Sequence, residues 1–171
     1  MKILAIDPGT TESGWCVFDT DTFQLLAHGI DDNNELRKQI SRFKDSEDDD
    51  KITMAIEMVA SYGMPVGEST FHTVRWIGRF QERFEKLYRP DRVHLITRQE
   101  VKMCLCHQLK GVNDSVIRRR VLDIFPATGG GKTPQIGTKK EPGPLYGVKS
   151  HIFAAIAVAL TCAEVNYGFN F

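Results

Sequence analysis

The chain has 171 residues, 42% of them hydrophobic and 26% charged. These proportions exclude a disordered or low-complexity protein and suit one globular domain spanning residues 1–171. The formal net charge is zero, yet it is a sum over unlike parts: residues 1–70 hold 6 Lys/Arg against 14 Asp/Glu, and residues 71–150 hold 16 against 7, so the second half is basic enough to meet a polyanion.

Ile3, Leu4, Ala5 and Ile6 form a continuous apolar run, as expected for a strand covered on both faces, and the run stops on Asp7 before Pro-Gly-Thr-Thr. "SGWCVFD" and "TFQLLAHGI" read as two further strands around a turn at Thr20 and Asp21, completing a three-stranded meander. Leu36, Ile40 and Phe43 have helical spacing over 34–43, and "KDSEDDDK" after them is a solvated acidic loop. "KITMAIE" repeats the opening pattern, an apolar strand that ends on a carboxylate, Glu57. Phe71, Val74, Ile77, Phe80, Phe84 and Leu87 predict a long amphipathic helix over 68–88, with Phe71 in the core and Arg75, Arg79 and Arg83 on another face.

"RVHLI" is a fifth strand, and Thr97 with Glu100 has the spacing of a capping box that opens a short helix. A further helix is expected over 114–125. The stretch 126–147 carries four prolines and five glycines before Gly147, too many for regular structure, and reads as a long basic loop. "KSHIFAAIAVALTCAEV" is an alanine-rich helix that packs closely on a sheet, starting near Lys149 or Ser150 with His151 in its first turn. Its apolar run, 152–162, is shorter than the roughly 20 residues of a bilayer span, so no membrane partner is expected. Four irregularly spaced cysteines and no leader pattern suggest a reduced, cytoplasmic protein.

This order of elements predicts an α/β fold, an RNase H-like mixed five-stranded sheet flanked by helices, in which the first and fourth strands are central neighbours. Asp7 and Glu57 then stand side by side. Two carboxylates without a basic partner repel unless protons or cations compensate them, and a hard divalent cation such as Mg²⁺ suits carboxylate oxygen with a phosphate completing the ligands. Two such ions can activate a water and stabilise the leaving oxygen of a phosphodiester.

"AIDPGTTESGW", "AIEMVASYGMPVG", "RQEVKMCL" and "GVKSHIFAAIAVALT", in that order, resemble the RuvC-type Holliday junction resolvases, particularly compact phage and prophage versions. The resemblance implies a Mg²⁺-dependent (or Mn²⁺-dependent) endonuclease that cuts branched DNA, above all four-way junctions, as a homodimer in the cytoplasm of a bacterial host cell. It also implies that Asp7 and Glu57 bind metal and that Lys102 contacts DNA near the scissile bond. His151 matches the slot at the start of the last helix that holds Asp or His, either as a metal ligand or as a base on the attacking water. One turn on, where the family has an Asp, this chain has Ala154. Asp114 is the substitute ligand considered, at a place where better-known members carry a lysine, and its alternative role is to cap its helix; Glu12 is a weaker substitute.

Arg75, Arg79, Arg118, Lys139 and Lys140 are candidate phosphate contacts, together with Arg119 and Arg120; the arginine stripe on the long helix is equally read as a solvated face. "GGGKT" lacks the first glycine of a Walker loop, whose place is Pro126. Cys104, Cys106 and His107 sit on one helix without a second ligand pair, which favours packing over zinc. Tyr62 and Phe71 are candidates for stacking on unpaired bases, each weighed against a packing role. Two other classes compete with the nuclease: a degenerate branched-DNA binder, prompted by Ala154, and an actin-like or sugar-kinase ATPase, which opens similarly but needs two related domains.

Overall fold

A computed structural model describes residues 1–43, 52–61, 63 and 65–171. The acidic stretch 44–51 and Tyr62 lie outside the described residues. Five strands form one sheet: β1 (Lys2–Asp7), β2 (Glu12–Asp19), β3 (Gln24–Asp32), β4 (Ile52–Met58) and β5 (Val93–Thr97), in the spatial order β3-β2-β1-β4-β5. The meander β1-β2-β3 is antiparallel, whereas β4 and β5 run parallel to β1. Both faces of β1 are covered, which is why Ile3, Leu4, Ala5 and Ile6 are all fully buried.

Two apolar layers enclose the sheet. On one side Leu4, Ile6, Met54 and Ile56 pack with Leu36 of α1 (Asn33–Gln39) and with Ile77, Phe80 and Phe84 of α2 (Glu68–Glu85). On the other, Ile3, Ala5, Cys16 and Ala55 meet α3 (Arg98–Cys106), α4 (Asp114–Ile124) and α5 (Ser150–Tyr167). By length and apolarity α5 passes as a membrane span, but 61% of it is buried inside the fold. Its alanines 155, 157, 159 and 163 are fully buried, so the helix backbone lies close to the sheet.

The expected helix over 34–43 is shorter than its spacing suggests: α1 ends at Gln39 and Ile40–Phe43 is a 3₁₀ turn. Phe71 corrects the sequence reading outright, being 64% exposed. The apolar stripe of α2 meets the sheet only from Trp76 and Ile77 onward, so the stripe's first members keep the right period without anything to pack against. The segment 126–149 has no helix or strand yet is tied by its own backbone, with Gly129 N–H donating to Pro134 (2.8 Å), Gly130 N–H to Glu141 (2.9 Å) and Leu145 N–H to Gln135 (2.8 Å). Leu145 is fully buried in the α4–α5 layer and anchors the loop.

Candidate active site

Parallel pairing aligns Ile6 with Ile56, so Asp7 and Glu57 each follow by one residue at the same end of neighbouring strands. The turn after Asp7 is held by a buried polar pair. Gly9 N–H donates to Ser13 Oγ (3.2 Å), Ser13 Oγ donates to Asn33 Oδ1 (2.5 Å), and Asn33 Nδ2 returns to the Gly9 carbonyl (3.0 Å). A Cβ on Gly9 would fall 2.2 Å from the Glu12 carbonyl oxygen, so the turn closes only with glycine there. The run Asp7-Pro8-Gly9 thus ends a buried strand sharply and leaves the Asp7 carboxylate at its tip.

Asp7 and Glu57 are close enough for each carboxyl to alter the other's proton affinity. Burial, and then the charge of Asp7, push the Glu57 carboxyl up to about 7. Burial also raises Asp7 above the ordinary carboxylate range, against the pull of its hydrogen bond to His151. Near neutral pH the pair therefore tends to keep a proton, the behaviour of like charges that cannot both ionise without compensation. His151 Nδ1 lies 3.0 Å from Asp7 Oδ2, and its ring is 61% exposed.

Arg98 is the residue that sequence reasoning missed. Glu57 pairs with Ile96 and Met58 with Thr97 in the β4–β5 register, so the first residue of α3 emerges beside the acid pair. The Thr97 capping box fixes that start, as its spacing predicts. Arg98 Nη1 stands 3.7 Å from Glu57 Oε1, and Nη2 is paired with Asp114 Oδ1. The expectation of two acids without a basic partner is therefore corrected. A cation at the end of a strand adjacent to a carboxylate strand was the available signal, and only the sheet order could decode it.

Asp114 is the first residue of α4 but not its cap; Asn113 takes that role, accepting from Val116 N–H at 3.1 Å. Its carboxylate faces the same cavity as Asp7 and Glu57, a cleft of about 480 Å³ also lined by Arg98, Arg118, His151 and Ala154. A second groove of about 350 Å³ reaches Asp7, Glu57 and Arg98 from the side of Pro8, Val59 and Thr73. Ala154 presents a methyl group one turn after His151, so the wall there has no carboxylate.

The other candidates are spread more widely. Lys102 is one turn beyond Arg98 on the same side of α3, half-buried and outside the cavity lining. Arg118 lines the cavity, its guanidinium 4.8 Å from the centre of the Phe153 ring. Arg75 is exposed on α2, and Arg79 stacks 4.6 Å from the Trp76 ring; neither lines the cavity. Lys139, Lys140 and Glu12 are exposed and also outside it. Lys132 of "GGGKT" instead faces α4 across a cleft of about 510 Å³ with Arg118, Arg119 and Asp123, a cleft that shares Ser115 and Arg118 with the active-site cavity.

Asp7 and Glu57 are suited to a hard divalent cation: two half-buried carboxylates, side by side, whose mutual repulsion a cation relieves. Among the described residues no three His, Cys, Asp or Glu side chains are grouped to hold an ion by themselves. That holds for Cys104, Cys106 and His107 as well. Further ligands at Asp7 and Glu57 would come from water and a phosphate.

The arrangement is the RNase H-like fold in the form seen in RuvC. The structure is similar to that of Thermus thermophilus RuvC, with a TM-score of 0.66, 18% identity, and coverage of 98% of this chain and 97% of that one. It is equally similar to T. thermophilus RuvC in complex with a Holliday junction substrate, at a TM-score of 0.65, 18% identity, and coverage of 98% and 96%. No protein-family model matches the chain, and no curated protein does.

Proposed function

We propose that this protein is a divalent-metal-dependent, structure-selective DNA endonuclease that cuts four-way junctions and related branches. The observation that carries the reading is the carboxylate pair Asp7 and Glu57, side by side at the same end of adjacent strands, with His151 on Asp7, in a fold shared over 98% of the chain with a protein described in complex with a Holliday junction substrate. Asp7 and Glu57 hold the cation, Mg²⁺ or Mn²⁺. A bound divalent ion supplies Lewis acidity and a lowered pKa for attacking water. His151, whose Nδ1 engages Asp7, keeps Nε2 for a proton of the water or for a further ligand bond. Arg118 and the adjoining cleft with Arg119 and Lys132 offer positive charge where a strand leaves the cavity. A two-fold junction is matched by a C₂ homodimer, which presents two active sites to it.

The deciding experiment is cleavage of a synthetic four-way junction in Mg²⁺ or Mn²⁺. Wild type nicks it, and Asp7→Asn or Glu57→Gln abolishes nicking while binding persists. Ala154 favours one second reading, a branched-DNA binder without turnover. Junction binding with no product in either metal would establish it.

A further inference from the structure

The active-site cavity brings together three carboxylates, Asp7, Glu57 and Asp114, against Arg98 and Arg118. Arg118 is spread over the Phe153 ring. Of the two arginines Arg98 is the one that reaches Glu57 and Asp114, and among the described residues it is the one Lys or Arg that lines both grooves leading to Asp7 and Glu57. Its two terminal nitrogens are used unequally. Nη2 holds Asp114, while Nη1 faces Glu57 at 3.7 Å, beyond hydrogen-bond reach.

Asp114 is a replaceable partner. Its side chain is 93% exposed, against 26% for Arg98 and 17% for Glu57, and an ion pair with one fully solvated member contributes little. A phosphodiester entering the cavity offers the planar guanidinium two oxygens in the bidentate geometry it prefers, and it brings the negative charge that a site rich in carboxylates would otherwise repel. The swap leaves Asp114 in water at small cost.

Resting on the nuclease reading, we infer that Arg98 is a further catalytic residue, which exchanges Asp114 for the scissile phosphodiester and neutralises charge on its non-bridging oxygens. Asp114 is then a counter-ion that parks the guanidinium in the DNA-free protein. The wall at Ala154 recruits no cation, and Arg98 supplies positive charge from the opposite side of the acid pair.

The test compares wild type with Arg98→Ala, Arg98→Lys and Asp114→Asn, using Mn²⁺ alone and a synthetic four-way junction as probes. Arg98→Ala lowers single-turnover nicking at saturating junction by about 100-fold, and in DNA-free protein it binds Mn²⁺ severalfold tighter because a positive charge beside Glu57 is gone. Arg98→Lys keeps the charge without the fork and recovers only part of the rate. Asp114→Asn tightens junction binding severalfold. Nicking by Arg98→Ala at the wild-type rate, or unchanged Mn²⁺ affinity, overturns the assignment. So does loss of Mn²⁺ binding in Asp114→Asn, which makes Asp114 a ligand. A wild type that never nicks sinks the nuclease reading as well, whereas a wild type that nicks beside an unimpaired Arg98→Ala sinks Arg98 alone.

Discussion

The first turn of α5 rests directly on Gly14 of β2: a Cβ at Gly14 would lie 2.5 Å from the His151 carbonyl oxygen and 2.7 Å from the His151 Cβ. Gly14 is also the register partner of Asp7. One missing side chain therefore lets the helix start descend until His151 Nδ1 reaches the Asp7 carboxylate. Gly14→Ala is expected to push the helix start outward, destabilising the fold by about 1–3 kcal/mol. Nicking should fall at least about tenfold, since displacement of a catalytic group by roughly 1 Å can cost 100-fold. Junction cleavage and thermal melts measure both, and an alanine variant that cuts normally would separate His151 from the chemistry.

The acid pair makes stability depend on pH in a defined direction. Glu57 titrates at about 7 in the folded protein against an ordinary value of 4.5, and Asp7 is raised as well. A carboxyl whose folded pKa is raised contributes its full stability below the unfolded value and loses it as pH climbs through the folded one. In EDTA the melting temperature should therefore drop between pH 5 and pH 8. A loss of roughly 1–3 kcal/mol corresponds to a drop on the order of 5 °C. Glu57→Gln should flatten this slope and melt higher than wild type at pH 8. Mg²⁺ should protect more at pH 8 than at pH 6, because it takes the place of the retained proton. Equal slopes for wild type and Glu57→Gln would contradict the coupling.

Ala154 can be turned into a probe of the proposed metal site. Ala154→Asp adds a carboxylate to the cavity wall one turn after His151, and Mn²⁺ binding by the DNA-free protein should tighten severalfold. Calorimetric titration reads this without reference to cutting. An unchanged affinity would mean that this wall is too far from Asp7 and Glu57 to share an ion with them.

The cleft between α4 and the 126–149 loop should behave as a track for the DNA backbone. Its cations include Lys132 and Arg119, the latter also paired with Asp123 at 3.0 Å. Replacing both by alanine should weaken junction binding about tenfold near 0.1 M salt and reduce the slope of log affinity against log salt by up to about 2. Single-turnover nicking at saturating DNA should be altered far less. Fluorescence anisotropy across a salt series checks this, and an unchanged slope would remove the cleft from the interface.

Much of this protein follows from local pattern alone. The strand end at Asp7, a strand carrying Glu57 that runs one residue past it to Met58, the capping box at Thr97 and the apolar closing helix with His151 in its first turn are legible in the sequence, because burial periodicity and capping act over a few residues. Period alone could not tell that Phe71 has nothing to pack against, nor that Asn113 rather than Asp114 caps α4. Arg98 became a partner of Glu57 and Asp114 only when the β4–β5 register set the start of α3 beside one acid and α4 folded back with the other. Electrostatic contacts between segments far apart in the chain depend on through-space distance, which sheet order and close helix packing decide.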